Sequence, residues 1–500
     1  MLLAVLFGAL VAFRHQLASF HDPGFTLAAR NGVGQSLQRP ARKVVSSPGE
    51  FMTLDPTGRF LMNSITGKPV FIVGDSAWSL ITQLSNSDVE FYLSYRAAQG
   101  FNYIWCAAAD NYYQASPPKD FYGDSPFDGP DFTHEDPRYW AHVDDVLREA
   151  ASHGITVALD PGFVGLSTSE GYLASYLSTS DDALHAYGKF LGKRYRGVPN
   201  LIWALGGDVD PATSVLTKLA ALASGIRSED TVHLMVAEGQ PQHSALDTFG
   251  AALWMDLNWL YFHTTNAPGG ASANYSRSPS LPPFLGEEWY EHEHSISELQ
   301  IREQAYWAIL SGAYLGNGGF GNSPIWYFNA GPDARIGDPG WKSELDSGGS
   351  RAQMYIGRLF RSREHWKLVP DLNHIDMVAG YDSRSMASSM WEHLFAAAHR
   401  QPYRLGSASA VAARTSDGQT IIAYVPAGNA STVVIALSRI SDPGSRAKCW
   451  WFNPRNGSSR LIGTFPTRGT RQFTPPDSND WVLVIDSSHA SLAPPGSRDL

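Results

Sequence analysis

Leu201-Ile202-Trp203-Ala204-Leu205-Gly206-Gly207-Asp208 is an apolar run without polar alternation that stops at two glycines and an acid. A run of this kind is buried on both faces, as a strand of a parallel sheet is, and its acid stands at the carboxyl end. Pro283-Phe284-Leu285-Gly286-Glu287-Glu288-Trp289-Tyr290-Glu291 repeats the arrangement: apolar strand, glycine, acid, then aromatics. Either acid alone could cap the helix that follows, since Asp favours N-cap positions and both acids suit a first helical turn. The pair, set among aromatics, points instead to a shared cleft. In a parallel barrel the carboxyl ends of all strands open on one face, so acids from different strands can converge on one bond. Two converging carboxyls are the minimal machinery for cleaving a glycosidic bond.

Outward from these segments, strands and helices alternate. Residues 20–50 are polar, Gly/Ser/Arg-rich and aperiodic, as a leader or linker is. A short hairpin then runs into a first buried strand that ends at Asp75. Further strands are predicted over residues 101–107, 155–160, 200–206, 232–238, 257–263, 284–287 and 325–328. Helices are predicted over 87–99, 139–153, 181–195, 212–226 and 297–311, with the Gly-rich residues 316–321 as a flexible loop above the barrel. The fold class is therefore α/β, a (β/α)8 TIM barrel. An open doubly wound sheet is the alternative, but no Gly-rich phosphate loop follows the first strand. Beyond residue 408, short β runs separated by Ser416-Asp417-Gly418 and Asn456-Gly457 predict a small antiparallel β-sandwich. The expected domains are a leader at 1–50, the barrel at 51–395, the sandwich at 396–487 and a disordered tail at 488–500.

The formal charge of −10 leaves no basic stripe to follow a phosphate backbone, so a nucleic-acid partner is not expected. It gives little attraction to anionic membranes either. The two cysteines, Cys106 and Cys449, lie far apart and read as buried thiols. Fifteen Trp and 21 Tyr suit stacking on sugar rings as well as core packing. Residues 1–13 are apolar, too short to span a bilayer, and match the apolar region of a secretory signal. The expected location is secreted or periplasmic, without stable membrane insertion.

Strand ends supply the candidate site. Asp208 is assigned as general acid/base and Glu287 as nucleophile, because the fourth and seventh strands of a barrel lie across from each other. Glu288 competes with Glu287, and since neighbours on a strand face opposite ways only one of them points inward. Asp75, Trp78, Asn102, Trp105, Asp110, Asp160, His263 and Trp326 are expected to bind substrate at the cleft floor, with Glu238 among the strand-end acids. Glu288, Tyr290 and Glu291 are further substrate-binding candidates. His292-Glu293-His294 lacks the spacing of helical zinc sites. No metal and no cofactor is expected. The rivals are a non-catalytic carbohydrate or matrix adhesin and a metal-dependent hydrolase.

Phe71-Ile72-Val73-Gly74-Asp75-Ser76-Ala77-Trp78, Gly100-Phe101-Asn102-Tyr103, the two segments quoted first, and Ala305-Tyr306-Trp307-Ala308-Ile309-Leu310-Ser311-Gly312-Ala313 occur in that order. Trp451-Phe452-Asn453-Pro454-Arg455-Asn456-Gly457 and Phe473-Thr474-Pro475-Pro476 follow. Together they resemble the apiosidase-like glycoside hydrolases, whose barrel is commonly followed by a collagen-binding-like β domain. The resemblance implies that the Asp after Gly-Gly is the acid/base and that a Glu in a Glu-Pro-x-Tyr-Glu context is the nucleophile. These fall on Asp208 and Glu287, with Glu288 standing where the family has Pro. It further implies an oligosaccharide or polysaccharide substrate, apiose on pectic side chains for the best-known members, and a retaining mechanism.

Overall fold

The computed structural model describes residues 52–129, 132–210, 214–263, 266–278, 280–329, 340–381, 409–428 and 432–497. The expected leader at 1–50 and the predicted boundary near 395 lie outside them. A short hairpin, Met52–Leu54 against Leu61–Asn63, comes first. Its turn is tied by Asp55, whose carboxylate accepts from the backbone N–H groups of Thr57, Arg59 and Phe60.

Among the described residues eight strands then alternate with eight main helices, short helical turns aside. The strands are β1 (Ile72–Ser76), β2 (Tyr103–Ala107), β3 (Thr156–Asp160), β4 (Leu201–Val209), β5 (Met235–Gly239), β6 (Asn258–Tyr261), β7 (Pro283–Glu287) and β8 (Gly316–Asn317). The helices are α1 (Asn86–Gln99), α2 (Pro137–Ser152), α3 (Asp181–Tyr195), α4 (Val215–Glu229), α5 (Ala245–Phe249), α6 (Ala267–Tyr275), α7 (Glu298–Ser311) and α8 (Gly348–Arg361). Adjacent strands pair in parallel from β5 back to β1 and from β1 through β8 to β6. At the remaining seam, the Asp256 N–H donates to the Met235 carbonyl at 2.8 Å, and the Asp256 carboxylate accepts the Met235 N–H at 2.8 Å. The two residues His243–Ser244 add a short antiparallel pairing to β6. The barrel is thus nearly closed. Its ends are set by local chemistry: Ser85 and Ser180 cap α1 and α3 by accepting backbone N–H groups, and Asp136 with Pro137 starts α2.

Three sequence expectations change here. The eighth strand is Gly316–Asn317, and residues 323–326, near which a strand was expected, form a short helix. The Gly-rich 316–321 segment is accordingly no flexible loop; every residue in it is buried. A Cβ on Gly316 would lie 2.2 Å from the Ile72 carbonyl oxygen, and one on Gly319 would lie 2.3 Å from that of Gly286. Backbone packs directly on backbone, and the strand carries no apolar alternation by which to recognise it. The tail also differs, since it is ordered to residue 497. Arg363 donates to the Ala493 carbonyl at 3.1 Å, and the Gly496 N–H donates to Ser362 Oγ at 3.0 Å.

The C-terminal strands are β9 (Leu368–Pro370), β10 (Met377–Ala379), β11 (Val411–Thr415), β12 (Thr420–Val425), β13 (Val433–Ala436), β14 (Arg446–Phe452), β15 (Ser459–Pro466), β16 (Thr470–Phe473) and β17 (Trp481–Ser487). They form two antiparallel sheets, in the orders β9-β11-β12-β17-β14-β15 and β10-β13-β16. The central strands β12 and β17 are buried at every position. Ile422, Tyr424, Val482, Val484 and Phe452 join the barrel's core, while Ile421, Ala423, Leu483, Ile485 and Cys449 pack toward the three-stranded sheet. A sheet covered on both faces explains why β12 reads Thr-Ile-Ile-Ala-Tyr-Val without alternation.

Helix α7 is the other side of this junction. Ten of its 14 residues are buried, Arg302 and Gln304 among them, as in a helix packed between two layers. Tyr306 stacks on Tyr424 at 4.7 Å and 5°, and Trp307 Nε1 donates to the Ser409 carbonyl at 2.8 Å. Arg302 grips Asp480 through two hydrogen bonds of 2.8 and 3.1 Å, with the side chains 4% and 1% exposed. Arg363 grips Asp486 in the same manner at 2.9 and 2.8 Å. Breaking a buried pair leaves an uncompensated charge, at a cost of about 3–5 kcal/mol, whereas replacing both partners by apolar groups is far milder. Asp480→Ala is therefore expected to lower the midpoint of thermal unfolding sharply. The double variant Arg302→Met/Asp480→Leu should recover most of that loss in the same calorimetric scan.

Candidate active site

Both carboxylates singled out in the sequence follow bulges. In β4 the pairing with β5 slips between Leu205 and Val209, and Gly206, Gly207 and Asp208 have φ of 119°, 83° and 55°. Three consecutive left-handed residues turn the strand end sharply, and the two glycines make this possible. A Cβ on Gly206 would lie 2.5 Å from the Glu238 carbonyl oxygen, and one on Gly207 would enter the Phe163 ring at 2.3 Å. Asp208 itself holds a conformation that Asp tolerates better than most residues, a kind of strain that clusters at functional sites.

In β7 the slip falls between Leu285 and Glu287. Counted by strict alternation from the inward Phe284, Glu288 would face the barrel axis. The extra residue reverses the parity and sets Glu287 opposite the inward Tyr261. Gly286 is required at the slip, because a Cβ there would lie 2.3 Å from the Trp259 indole. The Glu288 carboxylate consequently turns to Asn317, accepting from its Nδ2 at 3.0 Å.

Asp208 and Glu287 line one cavity of about 370 Å³ at the carboxyl ends of the strands. Trp78, Tyr113, Trp289, Tyr290 and Trp326 form its aromatic wall, and Tyr261, His263, Gln242 and Pro241 complete the side nearest β6. Glu288 and Glu293 also reach its surface. The Trp78 Nε1 donates to the Tyr290 hydroxyl at 2.8 Å, and that hydroxyl donates to Glu287 Oε1 at 2.5 Å. His263 stacks on Trp289 with ring centres 4.0 Å apart. Trp78 meets Trp105 edge-on at 3.8 Å, so Trp105 forms the packed floor beneath the cavity.

The carboxyls differ in environment. Asp208 is half-buried as a residue, yet its Oδ1 is shut off from solvent and has no hydrogen-bond partner among the described residues. Burial first, then the negative charges of Glu287, Glu170 and Glu293, hold its carboxyl well above the usual range. Glu287 is raised by burial too, but the hydroxyl of Tyr290 donates to it and favours its ionised form. Burial, followed by His294, pushes His263 down to about 4, which leaves the ring uncharged near neutral pH. Two carboxyls with environments pulling apart, one toward protonated and one toward ionised, are what acid/base and nucleophile roles require.

Several candidates lie elsewhere. Asp75 points into the helix layer, where its carboxylate accepts from Arg96 Nε at 2.6 Å and from the Tyr92 hydroxyl at 2.5 Å; it ties β1 to α1. Asn102 precedes β2 at the opposite end of the barrel and bonds the Val73 N–H and the Phe71 carbonyl. Glu291 accepts from the Gly349 N–H at 2.8 Å and from Ser347 at 2.5 Å, so it anchors the start of α8. Asp110 is spent on a turn, accepting from the N–H groups of Tyr112 and Tyr113, and burial raises it to about 6. Asp160 accepts the Gly162 N–H at 2.9 Å behind Gly207. Four of the five are buried acids and Asn102 is a half-buried amide, and strand-end position alone cannot tell them from cleft residues. Among the described residues no group of three or more His, Cys, Asp or Glu side chains is placed to hold a metal ion. His292 bonds Glu344 at 2.9 Å, and His294 packs edge-on against Trp289. Tyr113, Gln242, Tyr261 and Glu293 were not anticipated; each stands in a loop or an apolar strand with no spacing signal.

A barrel with paired carboxyls at the ends of β4 and β7 and an aromatic wall has the architecture of a glycoside hydrolase. The family model described as "Apiosidase-like, catalytic domain" matches residues 55–367, and the chain belongs to this family of glycoside hydrolases. Residues 402–486 match a second model, "Putative collagen-binding domain of a collagenase". Among solved structures, a protein titled "Glycoside hydrolase" superposes with a TM-score of 0.73 at 23% identity, covering 88% of this chain and 97% of that one. A glycoside hydrolase family 5 protein from Bacteroides vulgatus gives the same score and identity, covering 88% and 93%. At these identities the likeness is one of fold. No curated protein matches significantly.

Gly207→Ala tests the turn that aims Asp208. The left-handed backbone alone disfavours Ala by roughly 1–2 kcal/mol, and the new methyl must displace Phe163. The variant is expected to fold, to melt a few degrees lower, and to lose at least about tenfold in kcat with little change in KM, as read on an aryl glycoside substrate.

Proposed function

We propose that this chain removes a neutral terminal sugar from a plant or microbial polysaccharide outside the cytoplasm by a retaining double displacement. Glu287 attacks the anomeric carbon while Asp208 gives its proton to the departing oxygen; Asp208 then takes a proton from the water that cleaves the glycosyl ester. The observation that carries this reading is the opposed environments of Asp208 and Glu287 in one aromatic-walled cavity. Trp78 and Tyr290 form a relay of hydrogen bonds that fixes the Glu287 carboxylate in one orientation.

The choice of a neutral sugar follows from charge. Four acids and an uncharged His263 line the cavity, with neither Lys nor Arg among its lining residues, so a bound uronate would meet only repulsion. Its volume, about 370 Å³, sits at the lower end of small-ligand pockets, which span roughly 300–1,000 Å³. That favours a terminal residue over the interior of a chain. Family membership makes a pectic side-chain pentose such as apiose the first substrate to try. The apolar stretch at residues 1–13 supports export.

Asp208→Asn and Glu287→Gln should each lower kcat by about 10²–10⁴-fold on the responsive member of a panel of aryl glycosides and pectic oligosaccharides. A leaving group of low pKa should restore activity to Asp208→Asn and not to Glu287→Gln. Retained configuration in the first-formed sugar, followed by NMR, checks the double displacement, and inversion would overturn it.

Activity needs Asp208 protonated and Glu287 ionised. It should therefore fall as pH drops through the pKa of Glu287 and again as pH rises through that of Asp208, with the alkaline limb lying well above the ordinary carboxylate range because Asp208 is raised. An alkaline limb at ordinary carboxylate pH would remove Asp208 from the acid role.

A further inference from the structure

Glu238 lies in β5 behind the cavity wall and is 1% exposed. The turn of β4 rests on it, with Gly206 against its carbonyl oxygen. Among the described residues neither of its carboxyl oxygens accepts a hydrogen bond from any donor. The titratable groups that face it are Glu287 from β7, Asp208 from β4, Asp160 from β3, Tyr103 from β2 and Tyr261 from β6. None of these is a cation. Glu287 is the neighbour with which it shares a hydrogen bond once either carries a proton. Glu287 Oε1 already takes the Tyr290 hydroxyl, whereas its Oε2 has no donor among the described residues.

An ionised carboxylate in this position would be buried, undonated and beside another negative charge, three penalties at once. A protonated one turns its vacant oxygen into a donor whose partner is the acid that must stay ionised. We propose that Glu238 is a positioning residue that keeps a proton throughout the reaction and donates a hydrogen bond to Glu287, holding that carboxylate ionised and aimed. No bond to Glu238 is made or broken, and its proton is not consumed. Burial and the Glu287 charge both raise Glu238 well above the carboxylate range, which agrees with the protonated state.

The inference rests on Glu287 being the nucleophile, and the test separates the two. Full-length Glu238→Gln, Glu238→Ala and Glu238→Met are compared with wild type in kcat/KM against pH, after each is checked for a cooperative unfolding transition. Glutamine keeps the shape and a permanent donor; alanine and methionine remove the donor, the second at nearly constant volume. The expected result is an acid limb for Gln within about 0.3 pH unit of wild type and activity within about tenfold. For Ala or Met the limb should move upward by about one unit or more, since a buried Glu287 without its donor is harder to ionise. An unmoved limb in Ala and Met, or a Gln variant as impaired as Met, overturns the proposal, the latter because a donor of the same shape would then be no substitute for the carboxyl itself. Glu287→Gln run alongside gives the other arm: if it stays active, the nucleophile assignment falls and takes Glu238 with it. If it is inactive while Ala and Met keep the wild-type limb, only the role of Glu238 falls.

Discussion

Like charges crowded into one hollow are the constraint around which this molecule is organised. Asp208, Glu238 and Glu287 come from three strands and approach one another without a Lys or Arg between them. Such a group cannot be fully ionised when water is excluded, so protons must be retained, and hydrogen-bond donors decide which carboxyl keeps its charge. The Tyr290 hydroxyl favours ionised Glu287, and nothing comparable favours ionised Asp208. The acid and nucleophile roles proposed for the two are thus separated by their neighbours rather than by being Asp or Glu. Buried acids elsewhere in the barrel are handled differently: Asp75 receives a guanidinium and a phenol, and Glu291 receives the start of a helix.

Holding carboxyls so close demands a stiff frame, and the frame is built where backbone touches backbone. Glycines at 206, 207, 286, 316 and 319 stand at positions where a single added carbon would strike a neighbouring carbonyl or ring. The bulges that aim Asp208 and Glu287 exist because those carbons are missing. Behind β7, helix α7 is gripped from both sides, by the barrel and by β12 and β17 of the C-terminal sheet. Two buried arginine–aspartate pairs lock that sheet in place. The β-rich part is therefore a structural backing to the barrel on its α7 and α8 side, away from the cavity mouth lined by Trp78, Tyr113 and Trp326.

Much of this was legible in the residues alone. Seven of the barrel strands announce themselves as apolar runs ending near a polar residue, and helices expected from 87, 139 and 181 start within two residues of those positions, behind the caps Ser85, Asp136 and Ser180. The eighth strand was not legible, because two glycine-flanked residues have no side-chain pattern to read. Helices α5, α6 and α8 were missed: Ala245–Phe249 is too short for a period, Ala267–Tyr275 is rich in glycine and alanine, and Gly348–Arg361 opens on two glycines. Position at a strand end identified Asp208, Glu287, Trp78, His263, Tyr290 and Trp326 as cavity residues. It also drew in Asp75, Asn102 and Glu291, which share the same sequence character but turn their side chains into the helix layer or to the far end of the barrel.

By itself, the sequence determined the period of the fold and the identity of its chemistry, since strand hydrophobicity, glycine placement and the two acids are local properties. Which acid faces which could be decided only in three dimensions. A one-residue slip in β7 exchanges Glu287 for Glu288 at the barrel axis, and no local pattern records a slip whose cause is the Trp259 ring packed from the neighbouring strand. Proton placement belongs to the same level, because it depends on oxygens from β4, β5 and β7 that meet only after the strands have closed into a ring.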